Sequence, residues 1–162
     1  MTPESAAYHR LMLMAGLRDR FDAEVDAALE TEDPITPPLL DLACFLSDTE
    51  KLISILYAYI SEHEVDAYKV CDLILSDLRS RYLENRMTRA EITNTLEAIY
   101  HYANKEYIAP WAELAWLPDN YELLEDHLVP EVLFNECFDA FLLRGEHLNL
   151  WHFLGEPNLW AK

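Results

Sequence analysis

The 162-residue sequence has little glycine, few basic residues and no long apolar run. Three glycines are too few for a glycine-rich loop that could cradle a phosphate. The longest uninterrupted apolar stretches fall far short of the roughly 18–20 residues that a membrane span requires. The first residues carry no basic segment before their brief apolar run, which is not the pattern of a secretory signal. These features predict a cytoplasmic protein without membrane association.

Cysteine and histidine patterns also lack the spacing of a reactive site. Cys44, Cys71 and Cys137 are odd in number, widely spaced and without a C-x-x-C pair, so we expect small buried residues in a reducing compartment. None of the six histidines belongs to an H-E-x-x-H motif. No catalytic residue, metal or cofactor is therefore predicted, and the sequence does not indicate an enzyme.

Negative charge is the dominant feature of the composition. Thirty Asp and Glu residues oppose twelve Lys and Arg residues, which gives a formal net charge of −18. Such a field repels nucleic acid and anionic lipid, so neither is expected as a direct ligand, and it accelerates encounter with basic proteins. Four arginines lie close together at positions 79, 81, 86 and 89. The simplest interpretation is that they compensate acidic groups on neighbouring helices.

Helical periodicity runs through most of the chain and predicts an all-α, single-domain bundle (1–162) of about six to eight helices. Met14, Leu17, Phe21, Val25 and Ala28 recur every three or four residues, which predicts one amphipathic helix with an acidic outer face. The segment 52–60, LISILYAYI, is apolar nearly all round and is expected in the middle of the bundle.

Further signals place the remaining helices. Capping boxes are predicted at Ser47 with Glu50 and at Thr88 with Glu91. The next apolar seam is formed by Tyr68, Cys71, Leu75, Leu78 and Tyr82, and three phenylalanines mark a helix at about 130–144. A Tyr-x-Tyr pair recurs in 55–63 and 98–106, which leaves a stack of repeated helical hairpins open beside an irregular bundle.

The segment 108–126, IAPWAELAWLPDNYELLED, combines two tryptophans and a tyrosine with charged residues that are all acidic. Trp111 is expected in the core. Trp116 points elsewhere on a regular helix, so it is either covered by LPDNYELLED as a loop or exposed as an aromatic anchor. The second reading gives a candidate surface for a basic partner. Its residues are Tyr107, Glu113, Trp116, Asp119, Tyr121, Glu122, Glu125 and Asp126, with Asp19, Asp22 and Asp26 of the first acidic face.

A small, acidic, helical chain with the segment PWAELAWLPDNYELLED resembles bacterial immunity proteins of contact-dependent or polymorphic toxin systems. The resemblance implies a cytoplasmic antitoxin that binds a cognate toxin domain, often a basic nuclease, and occludes its active site. An acidic adaptor or scaffold protein is the alternative. A third reading is a metal-dependent hydrolase, in which Asp22 with Asp26, or Glu122 with Glu125, shares a cation on one helix face.

Overall fold

The computed structural model describes residues 1–31, 38–103 and 110–145, and these residues form helices and turns without any strand. The all-α prediction is confirmed. Seven of the α-helical segments in the described ranges have eight residues or more. The segments are α1 (Pro3–Met14), α2 (Asp19–Thr31), α3 (Leu39–Cys44), α4 (Thr49–Ser61), α5 (Ala67–Leu83), α6 (Arg89–Ala103), α7 (Trp111–Leu114), α8 (Trp116–Glu125) and α9 (Glu131–Phe138), followed by a π-helical turn, Asp139–Leu143.

Helix α1 is the central element of the bundle, since α4, α5 and α6 all pack against it. Thr2 caps its N-terminus by accepting a hydrogen bond from the Ser5 backbone N–H at 3.1 Å, and Pro3 occupies the first turn, where no N–H is needed. Two apolar clusters lie on either side of α1. Tyr8, Leu11 and Met12 belong to a large cluster with α5 to α9, whereas Ala6 and Leu13 belong to a smaller one with α2, α3 and α4.

The stripe from Met14 to Ala28 was predicted as one helix, and this prediction is wrong. Gly16 adopts a φ of +82°, and the Leu17 N–H bonds to the Met12 carbonyl at 2.8 Å. This left-handed turn ends α1 and lets α2 start in a new direction. The acidic outer face of α2 is present nonetheless, because only Phe21 and Val25 of that helix are buried.

Helix α4 was predicted in the middle of the bundle but lies at its edge. Only Leu52 and Leu56 are fully buried, and Tyr57 is 60% exposed. The reason is that α1 and α3 cover a single side of α4. Its cap is also different from the prediction, since Asp48, rather than Ser47, accepts a hydrogen bond from the Lys51 N–H at 3.0 Å.

The stack of hairpins is not observed. Helices α4, α5 and α6 each take α1 as a main neighbour, so the arrangement is an irregular bundle. Two more side-chain predictions are wrong. Tyr68 is 60% exposed, because the buried side of α5 runs through Val70 and Ile74, and Cys44 is exposed at the end of α3.

The predicted start of α6 is confirmed. The Thr88 hydroxyl accepts from the Glu91 N–H at 3.3 Å, and the Glu91 carboxylate accepts from the Thr88 N–H at 2.8 Å. Phe134, Phe138 and Phe141, which marked a helix at about 130–144, lie in α9 and the π-helical turn and are buried. Across the described ranges, every helix is too short or too polar to cross a lipid bilayer.

Candidate partner-binding surface

The two tryptophans of segment 108–126 have different environments. Trp111 is 6% exposed in the large cluster, as predicted. Trp116 is half-buried and stacks on Phe141, with ring centroids 6.4 Å apart and an angle of 27° between the planes. The segment LPDNYELLED is no loop, because residues 116–125 form α8. Trp116 therefore anchors the start of α8 on the core side.

The opposite side of α8 forms a groove with α6, and this acidic groove has a volume of about 320 Å³. Helix α8 contributes Asp119, Glu122 and Glu125 to its walls, and α6 contributes Glu97. Its aromatic lining comes from Tyr100 on α6 and Tyr121 on α8. Four carboxylates thus face one concave surface.

The carboxylates of the acidic groove are poorly compensated. The pKa of Asp119 is raised above its ordinary value, mainly because its carboxyl group is partly buried and secondly because Glu97 repels its negative charge. His101 Nε2 lies 3.9 Å from Glu97 Oε1. Within residues 1–31, 38–103 and 110–145, no Lys or Arg forms an ion pair with Asp119, Glu122 or Glu125. As far as the described residues line it, the groove is therefore predominantly negative.

Two carboxylates of the acidic face of α2, Asp19 and Asp22, are neutralised by arginines. Arg81 Nη2 lies 2.7 Å from Asp19 Oδ1, and Arg86 also binds Asp19. Although burial alone would raise the pKa of Asp19, the hydrogen bonds from these two guanidinium groups hold it below the ordinary value. Asp22 pairs with Arg18 at 2.8 Å. These two carboxylates therefore form ion pairs within the folded protein.

A buried ion pair ties this network to the core. Arg81 Nε lies 2.9 Å from Asp77 Oδ2, and both side chains are 6% exposed. Arg20 approaches Asp77 Oδ1 at 3.3 Å, and the His9 ring lies 2.7 Å from Glu24 Oε2. Burial lowers the pKa of His9, which Glu24 only partly counteracts, so the ring is preferentially neutral.

The remaining arginines of the cluster also have internal partners. Arg79 Nε donates to the Leu142 carbonyl at 2.6 Å. Arg89 lies 3.3 Å from Asp139 Oδ1 and over the rings of Tyr82 and Phe138. Compensation of acidic groups, as the sequence predicted, therefore accounts for Arg81, Arg86 and Arg89, whereas Arg79 binds a backbone carbonyl.

The structure brings only part of the predicted surface together. Asp119, Tyr121, Glu122 and Glu125 line the acidic groove, whereas Asp126 is exposed just beyond α8. Asp19, Asp22 and Asp26 lie on α2. Tyr107 lies outside the described residues, and of Glu113 only the backbone, in α7, is described.

Three groove residues on α6 were missed, namely Glu97, Tyr100 and His101. Tyr100 belongs to the Tyr-x-Tyr pair that the sequence marked only as a repeat. Periodicity places these side chains on one helix face but does not identify the helix that faces them. The contact between α6 and α8 was needed to define the groove.

The pairs proposed for a cation, Asp22 with Asp26 and Glu122 with Glu125, gain no third ligand. In the part of the chain that the structure describes, no group of three or more His, Cys, Asp or Glu side chains is arranged to hold a metal ion. Comparison with known proteins adds no relative: no family model matches the chain, and no curated protein or solved structure is significantly similar to it.

Proposed function

We propose that this chain is a cytoplasmic immunity protein that binds a cognate toxin domain, in particular a basic nuclease, and blocks its active site. The observation that carries the proposal is the acidic groove between α6 and α8, where Glu97, Asp119, Glu122 and Glu125 converge. These carboxylates lie around two tyrosines, which can contribute contact area at an interface.

The physical argument is one of charge complementarity. A nuclease holds phosphates with Lys and Arg side chains, so its active site is a cationic surface. The acidic groove presents carboxylates to such a surface in place of phosphates, and the net charge of −18 steers the encounter. The raised pKa of Asp119 indicates that its negative charge is unfavourable in the free protein. A cation from a partner would relieve that cost.

The test is co-purification with the product of the gene directly upstream, followed by a nuclease assay. We expect a stoichiometric complex and inhibition of nucleic acid cleavage. Because the Debye length is about 10 Å at 0.1 M salt, the association rate should fall steeply as salt rises. Absence of a complex would refute the proposal. A complex without inhibition of cleavage would instead favour the alternative of an adaptor protein. An association rate that does not depend on salt would refute electrostatic steering.

A further inference from the structure

A second concave surface lies on the other side of Tyr121. This α8 cleft is open to solvent and has a volume of about 740 Å³. It is lined by the turn between α5 and α6, by α8 and by α9. Tyr121 lines both the α8 cleft and the acidic groove. A smaller cleft of about 510 Å³ adjoins it and shares Leu124 and Glu131 with it. The three concavities are thus neighbours along α8, from the acidic groove to the α8–α9 turn.

Two of the three most exposed large apolar side chains of the described residues line these clefts. Leu83 lines the α8 cleft and is 63% exposed, and Leu128 lines the smaller cleft and is 68% exposed. Val132, next to Glu131, is 79% exposed. Apolar groups concentrated around a concavity mark an interaction surface more specifically than scattered ones do.

The charged residues that line the α8 cleft do not produce a net positive charge that would repel a basic partner. Arg86 and Arg89 line its wall, but their guanidinium groups already face Asp19 and Asp139. Glu131 lines the same wall and forms no ion pair with any described Lys or Arg. Next to it, α8 carries the carboxylates of the acidic groove. The apolar surface therefore has a mostly negative border.

We propose that the α8 cleft and the smaller cleft beside it, lined by Leu83 and Leu128, receive an apolar side chain of the partner domain. In the partner, this side chain is flanked by basic residues. This inference rests on the proposed function and adds a second contact to it. The acidic groove attracts the cations, and the cleft buries the apolar group, which slows dissociation. A second copy of this chain does not fit as the occupant, because two bodies that each carry −18 repel one another.

The first experiment measures association and dissociation rates with an inactive form of the upstream-encoded domain. Leu83→Ser/Leu128→Ser, which changes one lining residue of each cleft, should raise the dissociation rate about tenfold and leave the association rate and its salt dependence unchanged. Leu40→Ser is the matched control, because Leu40 on α3 is 50% exposed and remote in sequence. If wild type binds and the double variant dissociates at the wild-type rate, the cleft proposal is overturned while the proposed function stands. If wild type does not bind, the proposed function itself fails.

A second experiment uses defined probes and does not depend on the toxin. Two capped peptides, KRLLRK and KRSSRK, are titrated into the ¹⁵N-labelled protein. KRLLRK should shift the amides of residues 83–88 and 124–132 and bind at least about threefold more tightly than KRSSRK. Equal affinities, with shifts confined to the acidic groove, would overturn the proposal.

Discussion

The two acidic faces of this protein, on α2 and on α8, have the same kind of sequence, but the carboxylate in the first turn of each helix is in an opposite environment. On α2, arginines hold the pKa of Asp19 below its ordinary value. On α8, burial and Glu97 raise the pKa of Asp119. A carboxylate with a lowered pKa stabilises the folded state at neutral pH, whereas one with a raised pKa costs stability there. The comparison separates negative charge that maintains the fold from negative charge that is available to a partner.

The largest expected effect is on the α2 side. Arg81→Ala would remove the guanidinium 2.9 Å from the buried Asp77, which would keep only Arg20 at 3.3 Å. It would also remove one of the two arginines that bind Asp19. We expect a loss of about 3–5 kcal/mol in the free energy of unfolding, measured by urea denaturation. Glu125→Gln, which neutralises an exposed carboxylate of α8, should change it by no more than about 0.5 kcal/mol. Equal effects of the two variants would remove the distinction between the faces.

A smaller effect is expected on partner association. Asp119→Asn/Glu122→Gln/Glu125→Gln should slow association with the upstream-encoded domain about tenfold at low salt, because the groove loses three charges. Asp22→Asn/Asp26→Asn/Glu30→Gln removes the same number of charges from α2 and serves as the control. Its effect should be less than about twofold. An equal slowing by both triple variants would show that overall charge, rather than the acidic groove, steers the partner.

The smallest expected effect is the difference between the pKa values of Asp119 and Asp19. Carboxyl ¹³C titration should give a pKa above 3.8 for Asp119 and below 3.8 for Asp19. Glu97→Gln should lower the pKa of Asp119 and leave that of Asp19 unchanged. Because the Asp19 pKa is lowered on folding, its contribution is present at neutral pH and is lost as pH falls below 3.8. The stability difference between wild type and Asp19→Asn should therefore narrow in acid, and a constant difference would contradict this account.

Local features of the fold could be predicted because they depend on neighbouring residues. The Thr88–Glu91 capping box and the helical segment that carries the three phenylalanines of α9 and the π-helical turn were predicted from local sequence. Helix α4 could not be placed in this way. Its apolar residues predict burial on all sides, but α1 is the helix that lies at the centre of the bundle, and α4 packs against it from one side.

The candidate site was predictable only on one of its two walls. The cluster of aromatic and acidic residues in 108–126 identified Asp119, Tyr121, Glu122 and Glu125. It did not identify Glu97 or Tyr100, because α6 and α8 meet only after the chain has folded back. Trp116 was assigned to the wrong surroundings for the same reason, since its stacking partner Phe141 lies 25 residues further along.

The amino-acid sequence by itself determined the helical class, the capping of α6 and the net charge of −18, because these depend on composition and on short spacings. Only the tertiary structure decided which carboxylates are neutralised. Asp19 and Arg81 are 62 residues apart, and packing brings them to 2.7 Å. Coulomb energy depends on separation in space and on burial, and neither can be read from separation along the chain.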